Sequence, residues 1–148
     1  MKTLHFEITL PAARQRVWEH LLQPAGYEAW TAAFSEGSHY EGSWEVGQRI
    51  RFLGPGGQDG MVAEIAEHRP AEFLSIRHLG FIQAGKEDTT SEAVRAWAPC
   101  YENYHAQDTP EGHTLLRVAM DCLPDFEDYM NERWPLALAR LKALCEAS

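Results

Sequence analysis

Between residues 37 and about 123, apolar side chains recur at every second position in short runs punctuated by glycine, and after Pro124 the spacing changes to three and four. The first pattern belongs to antiparallel strands with one buried face, the second to a helix with one buried stripe. The stripe passes through Phe126, Met130, Trp134, Ala137, Leu138, Leu141, Leu144 and Cys145 and predicts a helix over 125–146. Asp125 as N-cap, Glu127 and Asp128 in the first turn, and Arg140 and Lys142 near the end all suit the helix dipole. No other segment is long enough to cover a sheet, so this helix must lie across the sheet's concave face. Pro135 sits inside it. The ring removes one amide donor and presses toward the carbonyl of Asn131, which costs about 3 kcal/mol in an ordinary helix interior. A perturbation between Asn131 and Pro135 is therefore expected, either to bend the helix around an internal space or to follow the curvature of the sheet.

Upstream, Leu4, Phe6, Ile8 and Leu10 alternate with His5, Glu7 and Thr9, a half-buried strand ending at Pro11. A helix with Val17, Trp18, Leu21 and Leu22 on its apolar face follows, with Pro11 at its first position, until Gln23 and Pro24 break it. A second short helix carries Tyr27, Trp30, Ala33 and Phe34. The meander then supplies roughly six strands, over 38–44, 49–53, 60–67, 73–81, 99–107 and 113–123. Residues 54–60 form a glycine-rich hairpin loop that lacks the Gly-Lys-Ser/Thr ending of a phosphate loop, and the polar segment 83–92 reads as an exposed loop. The class is α+β: a curved antiparallel sheet of about seven strands, two short helices after the first strand, and a long C-terminal helix packed across it. No internal repeat divides the chain, and residues 1–148 are expected to form a single domain.

Composition narrows the partners. Thirteen Lys and Arg against 22 Asp and Glu give a net charge of -9, and no basic stripe reverses it, so neither nucleic acid nor an anionic membrane surface is an expected partner. The first ten residues alternate where a signal peptide would need an apolar run, and no 18-residue apolar window occurs, so a soluble, cytoplasmic protein is expected. Cys100, Cys122 and Cys145 are odd in number and lack C-x-x-C spacing, which suits a reducing compartment. Cys145 ends the helix stripe and is not read as a prenylation site. His39, His105 and His113 have no ligand spacing, and no metal or cofactor is expected. No nucleophile elbow, His-Glu-x-x-His pair or dinucleotide fingerprint is present, so the sequence leans away from an enzyme without deciding the matter.

The order of elements, the opening strand and helix with Ala13 and Val17-Trp18, the Pro24 break with Trp30 beyond it, Gly47-x-x-Ile50-x-Phe52, the strand from Gly60 followed by Pro70, and the closing Trp134-x-x-x-Leu138-x-x-Leu141 together resemble the helix-grip fold of the START-like (SRPBCC) superfamily. The similarity spans nearly the whole chain and is greatest to the domain named for the activator homologue of heat-shock protein 90 ATPase. These are packing and turn motifs. They imply a cavity between helix and sheet and leave the chemistry open, since the superfamily holds sterols, lipids, polyketides or hormones and sometimes catalyses cyclisation or hydrolysis. The chaperone activator's other domain, with asparagines beside Trp-His-Trp, has no counterpart here.

Alternation turns Ile50 and Phe52, Met61, Ala63 and Ile65, and Leu74, Ile76 and His78 inward, with His78 the polar exception. On the strand over 99–107, Tyr101, Asn103 and His105 share one face and Glu102 and Tyr104 the other, and alternation alone leaves open which is inward. With the first set inward, the candidate ligand-binding residues are Trp30, Phe34, Phe52, Met61, Ile76, Met130, Trp134 and Leu138 as apolar walls, and His78, Tyr101, Asn103 and His105 as polar groups. Three functions fit: a binding module for a small, mostly apolar or amphipathic molecule; a chaperone-accessory or stress-response protein that works through its surface, which exposed Trp44 or Trp97 would support; and a cyclase- or hydrolase-type enzyme using the same cavity.

Overall fold

The computed structural model describes residues 1–148. Its elements run β1 (Lys2–Leu10), α1 (Arg14–Leu22), α2 (Pro24–Thr31), β2 (His39–Gly42), β3 (Arg49–Leu53), β4 (Gly60–Arg69), β5 (Phe73–Gln83), β6 (Lys86–Asp88), α3 (Glu92–Arg95), β7 (Cys100–Asp108), β8 (Thr114–Cys122) and α4 (Glu127–Glu146). All eight strands join one antiparallel sheet in the order β1-β8-β7-β5-β4-β3-β2, with β6 paired to β5. This is the α+β plan expected from the sequence, with β6 as an added strand. No helix is long and apolar enough to cross a membrane.

The inner face is built by the alternation. Leu4 and Leu10 of β1, Ile50 of β3, Ala63 and Ile65 of β4, Leu74 and Ile76 of β5, and Leu116 and Val118 of β8 join one buried cluster with the apolar sides of α1, α2 and α4. Two bulges keep side chains inward where strict alternation would turn them out. Val62 lies opposite Gly80 and Ala63 opposite His78, so Leu79 is an extra residue in β5; a second shift makes Ala66 extra in β4. The bulge at Leu79 changes parity, and Phe81 joins the smaller cluster of Val94, Trp97 and Cys100 beside α3.

Along α4 the buried residues are Trp134, Ala137, Leu138, Leu141 and Cys145, and the helix packs on α1, α2 and β1. It is continuous through Pro135. Pro135 and Asn131 both lie on its exposed side, so the carbonyl that loses its amide partner is on the side that water can reach. The predicted start needs correction. Pro124–Phe126 is a turn of 3-10 helix, Asp125 makes no capping bond, and Phe126 is 50% exposed, off the stripe. Pro11 lies ahead of α1 and does not open it, whereas Pro24 does open α2.

The segment 83–92 also has more structure than its polarity suggests. Lys86–Asp88 pairs with β5, the Asp88 carboxylate accepts from the amides of Thr90 (3.2 Å) and Ser91 (3.0 Å), and Ser91 caps α3 by accepting from the Val94 amide. Local side-chain acceptors thus satisfy a backbone that has little apolar area to bury.

Close approach of α1 and α2 depends on Gly26, where a Cβ would stand 2.1 Å from the His20 carbonyl oxygen. Because the obstacle is helix backbone, Gly26→Ala should destabilise the protein by about 1–3 kcal/mol. Urea unfolding followed by far-ultraviolet circular dichroism will show the midpoint fall; an unchanged midpoint would mean the helices separate freely.

Candidate functional site

Between α2, α4 and the inner face of the sheet lies a cavity of about 240 Å³. Trp30 enters from α2 and is 2% exposed, its Nε1 donating to the Leu21 carbonyl at 3.1 Å. Trp134 enters from α4, its ring among those of Phe6 (5.7 Å between centroids), Trp30 (6.0 Å), Phe34 (5.1 Å) and Tyr104 (6.1 Å). Phe34, Phe52, Met61, Ile76 and Met130 complete the walls anticipated from the sequence, and His78 reaches the same space. A second run of rings closes another side. Tyr27 stands edge-on to Tyr40 at 5.1 Å, Tyr40 to Trp44 at 5.0 Å, and Trp44 lies 5.8 Å from Phe52. The Tyr40 hydroxyl and Trp44 Nε1 both donate to the Leu22 carbonyl, which ties their polar atoms down; the Trp44 ring lines the cavity and the Tyr40 ring braces it from behind.

Apart from Thr31 and Ser38, whose hydroxyls donate to the Tyr27 and Ser35 carbonyls, the polar part of the wall is one connected group. Glu102 Oε1 is 3.1 Å from His78 Nε2, and Glu102 Oε2 accepts from the Tyr104 hydroxyl. His78 and Tyr104 are buried, and the Glu102 side chain keeps 22% of its surface exposed. Burial, reinforced by the charge of Glu102, pushes the Tyr104 phenol well above its ordinary range. Burial and the same carboxylate also push Tyr27 upward. His78 Nδ1 and Trp134 Nε1 have no hydrogen-bond partner. With its proton on Nε2, His78 donates to Glu102 and leaves Nδ1 as an unpaired lone pair, the less costly orphan.

A second cavity of about 200 Å³ lies beyond this group. It shares Met61, His78, Glu102, Met120 and Met130 with the first and adds Phe81, Trp97 and Leu123. Cys100 and Cys122 also line it as free thiols. His78 and Glu102 therefore stand in the partition between two apolar chambers.

Four of the sequence candidates sit elsewhere. β7 pairs Glu102 with Ile76 and Met120, and Tyr104 with Leu74 and Val118, so the even-numbered residues carry the inner face and the odd-numbered ones the outer. Tyr101 points to the outer side, where its hydroxyl accepts from Arg77 Nε at 3.1 Å, although the residue also borders the second chamber. Asn103 and His105 flank an outer groove beside Phe73 and Arg117. The physical reason is register. Strands β5 and β8 place apolar residues inward at those positions, and Tyr104 and Ala106 continue their layer while Asn103, His105 and Gln107 cannot. Leu138 is buried one turn beyond Trp134 and packs in the core, away from the cavity lining. Sequence reasoning missed Glu102, Tyr104, Tyr27, Trp44 and Met120 as cavity residues. Extending the comparison of faces on β7 to Cys100 and Ala106, both apolar and even-numbered, would have found the first two.

No protein-family model matches the chain, and no curated protein matches it. Solved structures do. The protein MLL2253 from Mesorhizobium loti is 19% identical, with 99% of this chain and 98% of that one covered at a TM-score of 0.74. The Aha1 dimer from Colwellia psychrerythraea is 19% identical, with coverage of 96% and 94% at a TM-score of 0.71. DynU16, a protein of the dynemicin biosynthetic locus, is 20% identical at a TM-score of 0.67; the match covers 99% of this chain and 48% of DynU16. At these identities the likeness concerns the fold, and the chain has the helix-grip fold.

The second chamber makes a testable statement about its thiols. Burial first, then the charges of Glu102 and Asp121 and the neighbouring Cys122, pushes Cys100 up to about 12. At pH 8 that leaves about one thiolate in ten thousand. Iodoacetamide should alkylate Cys100 in the folded protein at least a hundredfold more slowly than in urea, as read by peptide mass; comparable rates would show an open, solvated chamber.

Proposed function

We propose that this protein is a cytoplasmic binding module for a small, mostly apolar molecule with one polar end, held between α4 and the sheet. One observation carries the reading: a cavity whose walls are mostly aromatic and aliphatic holds one charged, hydrogen-bonded polar cluster, Glu102 with His78 and Tyr104. Trp30, Phe34, Phe52, Met61, Ile76, Met130 and Trp134 hold the body of the ligand, and the polar group meets its other end. An apolar cavity of about 150 Å³ takes a benzene, so about 240 Å³ suits a molecule of roughly ten heavy atoms. The three free, buried thiols fit a reducing compartment. That a protein of the dynemicin biosynthetic locus shares the fold is in keeping with small-molecule work.

The surface-directed alternative, suggested by the likeness to the Aha1 dimer, draws no support from the tryptophans. Trp97 is 7% exposed, and Trp44 is half-buried with its Nε1 engaged by Leu22. Catalysis by the His78 and Glu102 pair has geometry in its favour and a cost against it, because both Glu102 oxygens are already engaged. Binding asks less of the same group.

Titration of the protein with indole and 2-naphthol, followed by tryptophan fluorescence, should give saturable binding. Met61→Trp, which fills the space where the two chambers meet, should weaken it at least tenfold while the circular dichroism melt still shows a cooperative fold. Equal binding by the filled variant, or no saturation in the wild type, would remove the cavity from consideration and leave the surface reading.

A further inference from the structure

We infer that the polar end of the ligand is a cation, an ammonium group carried on an aromatic or alkyl body. The inference rests on the cavity being a small-ligand site and names the chemistry that site selects. Among the side chains lining the first cavity, Glu102 is the one carboxylate, His78 the one imidazole, and there is no Lys or Arg. The Glu102 oxygens receive an imidazole nitrogen and a phenol, which fix the carboxylate's orientation without placing a second full charge against it when His78 carries one proton. The nearest guanidinium by sequence on α4, Arg133, is turned to the Ala33 carbonyl (3.2 Å) and the Tyr129 ring (5.4 Å) and does not line the cavity.

The walls agree with the carboxylate. Tyr27, Trp44 and Phe52 form a connected run of rings, with Phe52 5.7 Å from the His78 ring, so the approach to Glu102 is paved with π systems. Ring faces attract cations and repel anions, most strongly where water is excluded. Tyr27, whose hydroxyl makes no hydrogen bond within the protein, is held close enough to Glu102 to feel its charge. A ligand carboxylate would face both the ring faces and Glu102, and the lining holds no Lys or Arg to offset its charge. A neutral hydroxyl can hydrogen-bond to Glu102 but gains neither the ion pair nor the cation–π attraction. At longer range the net charge of -9 favours the approach of a cation over an anion.

Three probes of one shape separate the possibilities: 2-phenylethylamine, 2-phenylethanol and phenylacetate, each titrated at pH 7.5 by tryptophan fluorescence and checked by calorimetry. The amine should saturate at least tenfold more tightly than the alcohol, and the acid should not bind measurably. Glu102→Gln, which keeps the side chain's size and removes its charge, should erase the amine's advantage over the alcohol. If the alcohol equals or exceeds the amine in the wild-type protein, the cation inference is wrong while the cavity reading stands. If none of the three saturates, both fall. The wild-type comparison decides even if the variant does not fold.

Discussion

The pairing of the first strand with the last organises everything else. β1 and β8 pair along their whole length, from Lys2 opposite Cys122 to Leu10 opposite Thr114. Helices α1 and α2 leave from one end of β1, and α4 follows β8, so both helical segments begin at neighbouring strands and are drawn to the same face of the sheet. The remaining strands follow in hairpins to β2 at the far edge. Two helical units on one face must meet, and they meet at Trp134, whose ring touches β1 through Phe6, α2 through Trp30 and β7 through Tyr104. That side chain belongs to both the core and the cavity wall.

The inner face of β3 could be read from the sequence because Ile50 and Phe52 oppose Arg49 and Arg51, and those of β4 and β5 because Ala63 and Ile65, and Leu74 and Ile76, recur at every second position. β7 could not be read from residues 101 to 105 alone. Its inner face holds Glu102, the more polar choice by any hydrophobicity argument, and the register is set by Tyr104 and Ala106 in contact with Leu74, Leu116 and Val118. A polar residue facing the cavity displaced the local rule there. The bulges were beyond periodicity for a different reason. An extra residue at Leu79 is imposed by pairing with β4, a non-local event that leaves no mark in the strand's own composition. The start of α4 was misplaced because Phe126 has the right spacing for the stripe, yet the 3-10 turn ahead of the helix rotates it into solvent.

Pro135 shows how the same helix accommodates an unfavourable residue. The apolar stripe requires Trp134 to face the sheet, and one residue further on the side chain points about 100° away, toward water. The missing amide and the stranded Asn131 carbonyl both fall on that outward side, where hydration replaces the lost bond. The proline is tolerated because of its phase relative to Trp134. One position earlier, at 134, the stranded carbonyl would be that of Met130, on the side that faces the cavity, and the helix would lose more than a hydrogen bond.

The cavity persists for a related reason. If closed and dry, an empty space of about 240 Å³ costs up to about 6 kcal/mol, a large share of the stability of a domain of this size. Aliphatic walls would relax into it through rotamer changes, but more than half of the apolar wall here is rings with few torsions, braced edge-on or tilted against one another: Tyr27 by Tyr40, Trp44 by Tyr40, Phe34 by Trp134. Collapse would have to dismantle that bracing together with the bonds that tether Tyr40 and Trp44 to the Leu22 carbonyl. Nor can the Glu102 group move inward to fill the space, since His78 ties one of its oxygens to β5 and Tyr104 holds the other along β7 itself. The space is therefore held open by interactions that would serve packing better if they were spent on closing it, and a molecule that fills it recovers contacts the walls cannot make with one another.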